Sequence, residues 1–255
     1  MTATPAGMTY ADYLQLDTLL SAQQPLSDLH DEMLFVIIHQ TKELWMKQML
    51  HELKLAIALL GEDRFAEACK AMARIGRIQS VMTLSWDVLS TLTPVDYTAF
   101  RDVLGTASGF QSVQFRELEY RLGIKDPRYL EAQEGGSEGQ ARLQAALDEP
   151  SLREASHAAL ERAGFDLGDR SEAAVGEAWL AVYKDAERWF DLYQLAEKLV
   201  DIDDALAMWR HKHVLTVERI IGAKPGTGGS AGAAYLRSTL DKRAFPELWS
   251  MRTGL

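Results

Sequence analysis

Residues 33–50 read "MLFVIIHQTKELWMKQML", and this stretch decides the fold class. It is longer than the ~10 residues of an ordinary strand, and its pattern is helical rather than alternating. Phe35, His39, Lys42 and Met46 follow at steps of four, three and four, which places them along one side of a helix. The residues before the histidine, "MLFVII", are apolar in every direction, so this half of the helix is expected to be buried all round. An imidazole there must satisfy two ring nitrogens. Either it is a core histidine held by a local hydrogen bond, or it faces a cavity where something reacts.

Outward from this helix, nearly every segment repeats the helical period, and the chain reads as all-α. "YADYLQLDTLLSAQ" predicts one short amphipathic helix ended before Pro25. The long helix runs from about Asp28 to Leu60, with Gly61 in the usual C-cap role. A second spans "EDRFAEACKAMARIGRIQSVMTLSWDVLSTL", and Pro94 opens a third at the favoured first-turn position. Residues 126–170 turn polar and predict a small helical surface insertion in a single domain of residues 1–255. Helical pattern returns from Ser171 to Ile221, with a break expected near "DIDD" at 201–204, followed by the glycine-rich "GAKPGTGGSAGAA".

Composition excludes several classes. With 255 residues and 47% hydrophobic content the chain can bury a large core, and no domain boundary stands out. The net charge of −10 would repel a phosphate backbone, so nucleic acid is not an expected partner. The single Cys69 rules out an internal disulfide framework or a multi-cysteine metal site and is read as core filler. No apolar run reaches the ~20 residues that span a bilayer, and the N-terminus has no signal-peptide pattern. With no Asn for glycosylation either, a soluble cytoplasmic protein without a membrane partner is expected.

The remaining candidates each carry a plain alternative. In "MWRHKHVLTVERIIG" the stripe Leu206, Trp209, His213, Val217 and Ile220 turns His213 inward, with His211 roughly 200° away by the ~100° per residue rule. His213 is a satisfied core residue or an axial ligand for haem iron. Tyr97 and Arg101 share a face, and the planar guanidinium suits a carboxylate held at two points, unless it pairs with Asp96 or Asp102 at the surface. Ser108 donates into a site or caps the next helix. "KPGTGGSAG" lacks P-loop spacing; its glycines let backbone wrap over a ligand, with Thr227 the one hydrogen-bonding side chain in "GTGG". His39 with Glu43 could bind a metal, although a di-iron bundle needs two Glu-x-x-His motifs and only Glu154 with His157 has that spacing.

Four blocks together resemble the tryptophan 2,3-dioxygenases: "YADYLQLDTLL", "HDEMLFVIIHQTKELWMKQMLHEL", "DYTAFRDVLGTASGFQSVQFRELE" and "WRHKHVLTVERIIGAKPGTGGSAGAAYLRSTL". Residues 126–177 carry little of this pattern, and nothing is transferred onto them. The resemblance implies an all-α haem-binding helical domain of the tryptophan/indoleamine dioxygenase type that holds haem b. His213 matches the proximal ligand of the iron, and His39 the distal histidine facing the substrate indole N–H. Phe35 matches a wall of that pocket. Arg101, with Tyr97 at a position aromatic in the family, matches the grip on the substrate carboxylate. Thr227 matches the loop residue holding the amino-acid head group, and Ser108 a hydroxyl near the haem. Tyr10, Tyr13 and Leu14 match an N-terminal helix, within residues 1–22, that completes the pocket of a neighbouring subunit in a homotetramer. The implied reaction cleaves the indole C2–C3 bond of L-tryptophan with both atoms of O2, giving N-formyl-L-kynurenine. The alternatives are a same-fold haem oxygenase acting on another indole, a non-haem metal bundle and a non-catalytic helical module.

Overall fold

The computed structural model describes residues 7–131 and 135–255; residues 1–6 of the 1–22 segment and 132–134 of the 126–170 segment lie outside the described residues. The helices in chain order are α1 (Tyr10–Leu14), α2 (Leu16–Ser21), α3 (His30–Gly61), α4 (Phe65–Leu89), α5 (Pro94–Phe100) and α6 (Val113–Leu122). They continue as α7 (Arg128–Glu131), α8 (Glu138–Asp148), α9 (Leu152–Arg162), α10 (Glu172–Lys184), α11 (Phe190–Ile221), α12 (Ala233–Arg237) and α13 (Pro246–Ser250). Among the described residues there is no strand, and the all-α reading stands.

Three long helices set the frame. α4 packs against both α3 and α11 and keeps the two apart, so a space opens between α3 and α11 wherever α4 presents its back wall. The core runs along these contacts through Leu53, Leu60, Met72, Ile75, Leu195 and Leu199, all almost wholly buried. Burying a Leu or Ile side chain stabilises by about 1.5–3 kcal/mol, so this seam is the main source of fold stability. α6 closes one side against α3, and α12 closes another against α11. No helix among the described residues is long and apolar enough to cross a membrane.

Several local expectations give way. The N-terminal helix is two short helices hinged at Gln15, whose left-handed φ of 54° breaks the run, and neither buries a residue. Gly61 is the last helical residue rather than the cap; Glu62 caps α3, and the left-handed turn falls on Asp63 at φ 56°. The break expected at 201–204 lies earlier, in residues 185–189. Asp203 stays helical because its buried carboxylate accepts hydrogen bonds from the Ala244 and Phe245 N–H groups and Trp249 Nε1. The apolar start of α3 is not buried all round: Met33 and Ile37 are 38% and 41% exposed.

The 126–170 stretch divides. α8 joins α6 in a small cluster around Tyr120, Tyr129, Leu143 and Ala146. α9 seats Leu152, Ala159 and Leu160 in the main core against α3, so that half is built into the domain and is not a surface piece.

Candidate functional site

The space between α3 and α11 is a cavity of about 240 Å³. α3 contributes Phe35, His39, Lys42, Glu43 and Met46, in keeping with their shared helical side. α4 supplies Met82 and Trp86 as the back wall, and α11 supplies Trp209, His213 and Val217. The two histidines therefore come from helices that α4 holds apart, and both line one cavity.

His39 answers the question its sequence raised with both alternatives at once. Its Nδ1 lies 2.7 Å from the Phe35 carbonyl, one helical turn back. A carbonyl oxygen only accepts, so Nδ1 carries the hydrogen and Nε2 keeps its lone pair. Burial pushes its pKa down to about 4, so the ring is neutral at physiological pH. Phe35 packs against it with ring centroids 4.2 Å apart and touches Tyr97 and Phe100 at 5.9 and 5.7 Å. This aromatic wall lines the His39 side of the cavity with apolar rings.

His213 stacks on Trp86, with centroids 4.3 Å apart and planes 9° from parallel. Trp209, one turn back on α11, flanks it at 5.2 Å. Burial drives the His213 pKa down to about 3, assisted by the nearby Lys42 and His39, so the ring is a neutral base with a lone pair to offer a metal.

Two loops close the mouth. Ser108 caps the 3₁₀ turn Gly109–Gln111 in a reciprocal capping box with Gln111, and it also lines the cavity. The glycine-rich loop lies directly on it: a Cβ at Gly228 would stand 2.6 Å from the Ser108 Cβ, which leaves room only for glycine. Thr227 lines the cavity and its Oγ1 donates to the Ala107 carbonyl at 2.5 Å. Arg101 is not among the cavity-lining residues; it stands at the rim, where Nη2 donates to the Pro225 carbonyl at 2.5 Å. It does not pair with Asp96, whose carboxylate instead accepts from the Thr93 hydroxyl. Tyr97 lies in the wall and is buried. Tyr10, Tyr13 and Leu14 lie on α1, exposed, and do not line the cavity.

Other readings lose their footing. Glu43 accepts from Ser112 Oγ and Gln114 Nε2, both at 2.7 Å, and ties α3 to the start of α6 rather than joining His39 as a ligand pair. His157 bonds Glu247 at 3.0 Å, while Glu154 caps α9 and pairs with Lys125. Among the described residues no group of three His, Cys, Asp or Glu could hold a bare metal ion.

The sequence reading missed a polar flank. Arg116 and Glu119 on α6 pair at 2.7 Å, Arg210 reaches Glu119 at 2.8 Å, and all three line the cavity. The Arg116 guanidinium lies 3.8 Å from the Tyr129 ring centroid. Nothing in "FRELEYRL" marks these as interior, because alternating charges on a helix normally signal a solvated face. Trp86 was likewise one of six tryptophans at helical positions.

Comparison with known proteins places the chain in a family. Residues 1–171 and 167–255 match the family described as Tryptophan 2,3-dioxygenase. The chain is 58% identical to the tryptophan 2,3-dioxygenase of Caulobacter vibrioides, over 97% of this chain and 98% of that one. It is 54% identical to that of Bacillus cereus and 49% identical to that of Exiguobacterium sibiricum, each over 97% of this chain and 93% of the relative.

Proposed function

This chain belongs to the tryptophan 2,3-dioxygenase family, and on that premise we propose that it cleaves the indole C2–C3 bond of L-tryptophan with O2, giving N-formyl-L-kynurenine. The observation that carries the reading is that two neutral imidazoles, His39 and His213, face one apolar cavity from helices kept apart by α4.

The cavity residues fit haem b. Trp86 Nε1, Trp209 Nε1 and Arg116 Nε are buried without a hydrogen-bond partner, and all three residues line this cavity. Orphaned buried donors are costly, and their convergence suits a large group with apolar faces and an anionic edge. His213 would ligate the iron; Ser108 and the Arg116 flank would meet the polar edge. When bound, the haem supplies the oxygen chemistry, which side chains cannot perform.

The chain does the rest. His39 Nε2 accepts the indole N–H, since the Phe35 carbonyl holds Nδ1–H and burial keeps the ring neutral. Phe35 and Tyr97 fix the plane of the indole. Arg101 uses one N–H on Pro225, which leaves donors for the α-carboxylate. Thr227 already donates to Ala107, so its oxygen is free to accept from the α-ammonium. Holding the head group at the rim and the indole at His39 presents C2 and C3 in one orientation.

The same reading includes a cytoplasmic homotetramer. α1 and α2 bury nothing within the protomer, and Tyr10, Tyr13 and Leu20 are 76%, 74% and 69% exposed. Val81, Leu84 and Val88 form a second exposed apolar stripe on α4. Surfaces of this kind call for a partner, and a neighbouring copy that receives Tyr10, Tyr13 and Leu14 at its pocket supplies one.

The test is a visible spectrum of the purified protein with product analysis under labelled dioxygen. Haem absorption, its loss in His213→Ala, and two labelled oxygen atoms in the product are expected. A colourless protein, or one labelled atom, refutes the assignment. Arg101→Ala should weaken L-tryptophan binding by about 1.5–3 kcal/mol and leave binding of an indole without a carboxylate unchanged; equal losses would place the arginine elsewhere.

A further inference from the structure

Among the described residues, Lys42 is the one buried charged side chain with neither an ion pair nor a hydrogen bond. It is 5% exposed, and its Nζ lies 2.8 Å from the centroid of the Trp86 ring. The carboxylates that share its cavity are engaged elsewhere: Glu43 by Ser112 and Gln114, Glu119 by Arg116 and Arg210. The His213 ring stacks on the same indole at 4.3 Å and nearly parallel. Two groups this close to one centroid would overlap on a single face, so the ammonium and the imidazole take opposite faces of Trp86. The result is a Lys42–Trp86–His213 sandwich.

Burial alone pushes the Lys42 amine down to about pKa 6. The negative face of the indole works the other way and favours the cation. An unpaired ammonium held in the interior is expensive to fold, and such groups concentrate where a site uses them.

We propose that Lys42 is a positioning residue that acts through Trp86 on His213 and biases a bound haem iron toward its ferrous state. The proposal rests on His213 as the iron ligand, as read above. The cation draws π density toward its own side of the indole, which leaves the His213 ring against a less negative surface and makes it a weaker donor to iron. Ligand basicity set by such neighbours tunes a metal's potential. The ferric centre also carries one more positive charge than the ferrous, so a nearby cation disfavours it. Both effects raise the potential of a one-electron couple in which the electron comes from an external reductant and no other bond changes.

The experiment is a spectroelectrochemical titration of the haem-loaded protein at about pH 5, below the Lys42 pKa of about 6 so that the side chain carries its charge, against one-electron mediator dyes. Lys42→Met keeps an unbranched side chain and removes the charge. At the wild-type midpoint its ferric-to-ferrous ratio should rise about tenfold, a fall of about 59 mV for one electron. The iron–histidine stretching band of the ferrous protein should move to higher frequency. In a Trp86→Leu background the same substitution should shift the midpoint by less than half as much, since the indole carries the effect. An unchanged or higher midpoint in Lys42→Met overturns the proposal, and equal shifts in both backgrounds overturn the route through Trp86. A Lys42→Met chain without haem also overturns it, because Lys42 would then hold the macrocycle rather than tune it. Wild-type haem content and its loss in His213→Ala test the ligand reading separately, so failure of either is recognisable.

Discussion

The C-terminal end of the fold and its cavity end bond their buried polar groups differently. Near the C-terminus, Glu247 is wholly buried yet bonded by Arg153 at 2.7 Å and His157 at 3.0 Å, and Asp203 collects three donors from the chain around α13. At the cavity end, Lys42, Trp86, Trp209 and Arg116 each keep an unpartnered buried donor. A fold satisfies most of the interior polar groups that serve architecture, Gln79 Oε1 and Trp179 Nε1 being exceptions outside the cavity. Where it leaves several unsatisfied around one space, the space is meant to be filled.

The largest effect should come from breaking the satisfied end. Asp203→Ala removes the acceptor for two buried backbone N–H groups and the Trp249 indole. With hydrogen bonds to a charge worth about 1.5–3 kcal/mol each and not fully additive, a loss of about 4 kcal/mol in urea unfolding is expected. A loss within 1 kcal/mol of zero, roughly the scale of a surface change, would erase the contrast between the two ends.

A pH titration sharpens the cavity end. His39 has an ordinary pKa of 6.5 and a folded value of about 4. As pH falls below about 6.5 the unfolded chain takes the proton first, so stability is full above that value and drains away down to about pH 4. The contribution is about 3 kcal/mol, and His39→Gln should remove that part of the slope in denaturant midpoints followed from pH 7 to pH 4. An identical slope in the variant would mean the ring stays solvated.

These sites were legible in the sequence to different depths. The α3 stripe was read correctly because Phe35, His39, Lys42 and Met46 share a face by spacing alone, which tertiary packing does not alter. The break expected at 201–204 was wrong because Asp203 finds its partners some forty residues away at Ala244 and Phe245, where no local pattern points. Arg116 and Glu119 were missed for the same reason, their pairing with Arg210 being visible only once α6 and α11 meet. The exposed Met33 and Ile37 show the converse, since apolarity alone does not say whether the cover comes from the same chain or another.

Lys42 reverses the sign of the Asp203 experiment. Replacing an unpaired buried amine, which folding must either strip of its proton or hold as a bare cation, by an apolar side chain of similar shape should stabilise the fold, by about 2 kcal/mol. Lys42→Met should therefore unfold at higher urea than the wild type. A lower midpoint would show that the ammonium has a partner after all, and the cavity end would be no different from the C-terminal end.

The smallest effect is expected at the N-terminus, where α1 buries no residue and carries exposed apolar side chains. Thr9 caps α1 by accepting from the Asp12 N–H, in a box the Asp12 carboxylate returns. Losing such a cap costs about 1 kcal/mol of local helix stability. Because α1 buries no residue of its own, Thr9→Ala should leave the global unfolding midpoint where it was. If Tyr10, Tyr13 and Leu14 complete a neighbour's pocket, the loss surfaces instead as weaker L-tryptophan binding, about fivefold, in the assembled protein. Unfolding that moves while binding does not would mean α1 docks on its own protomer, and the exposed tyrosines would need another explanation.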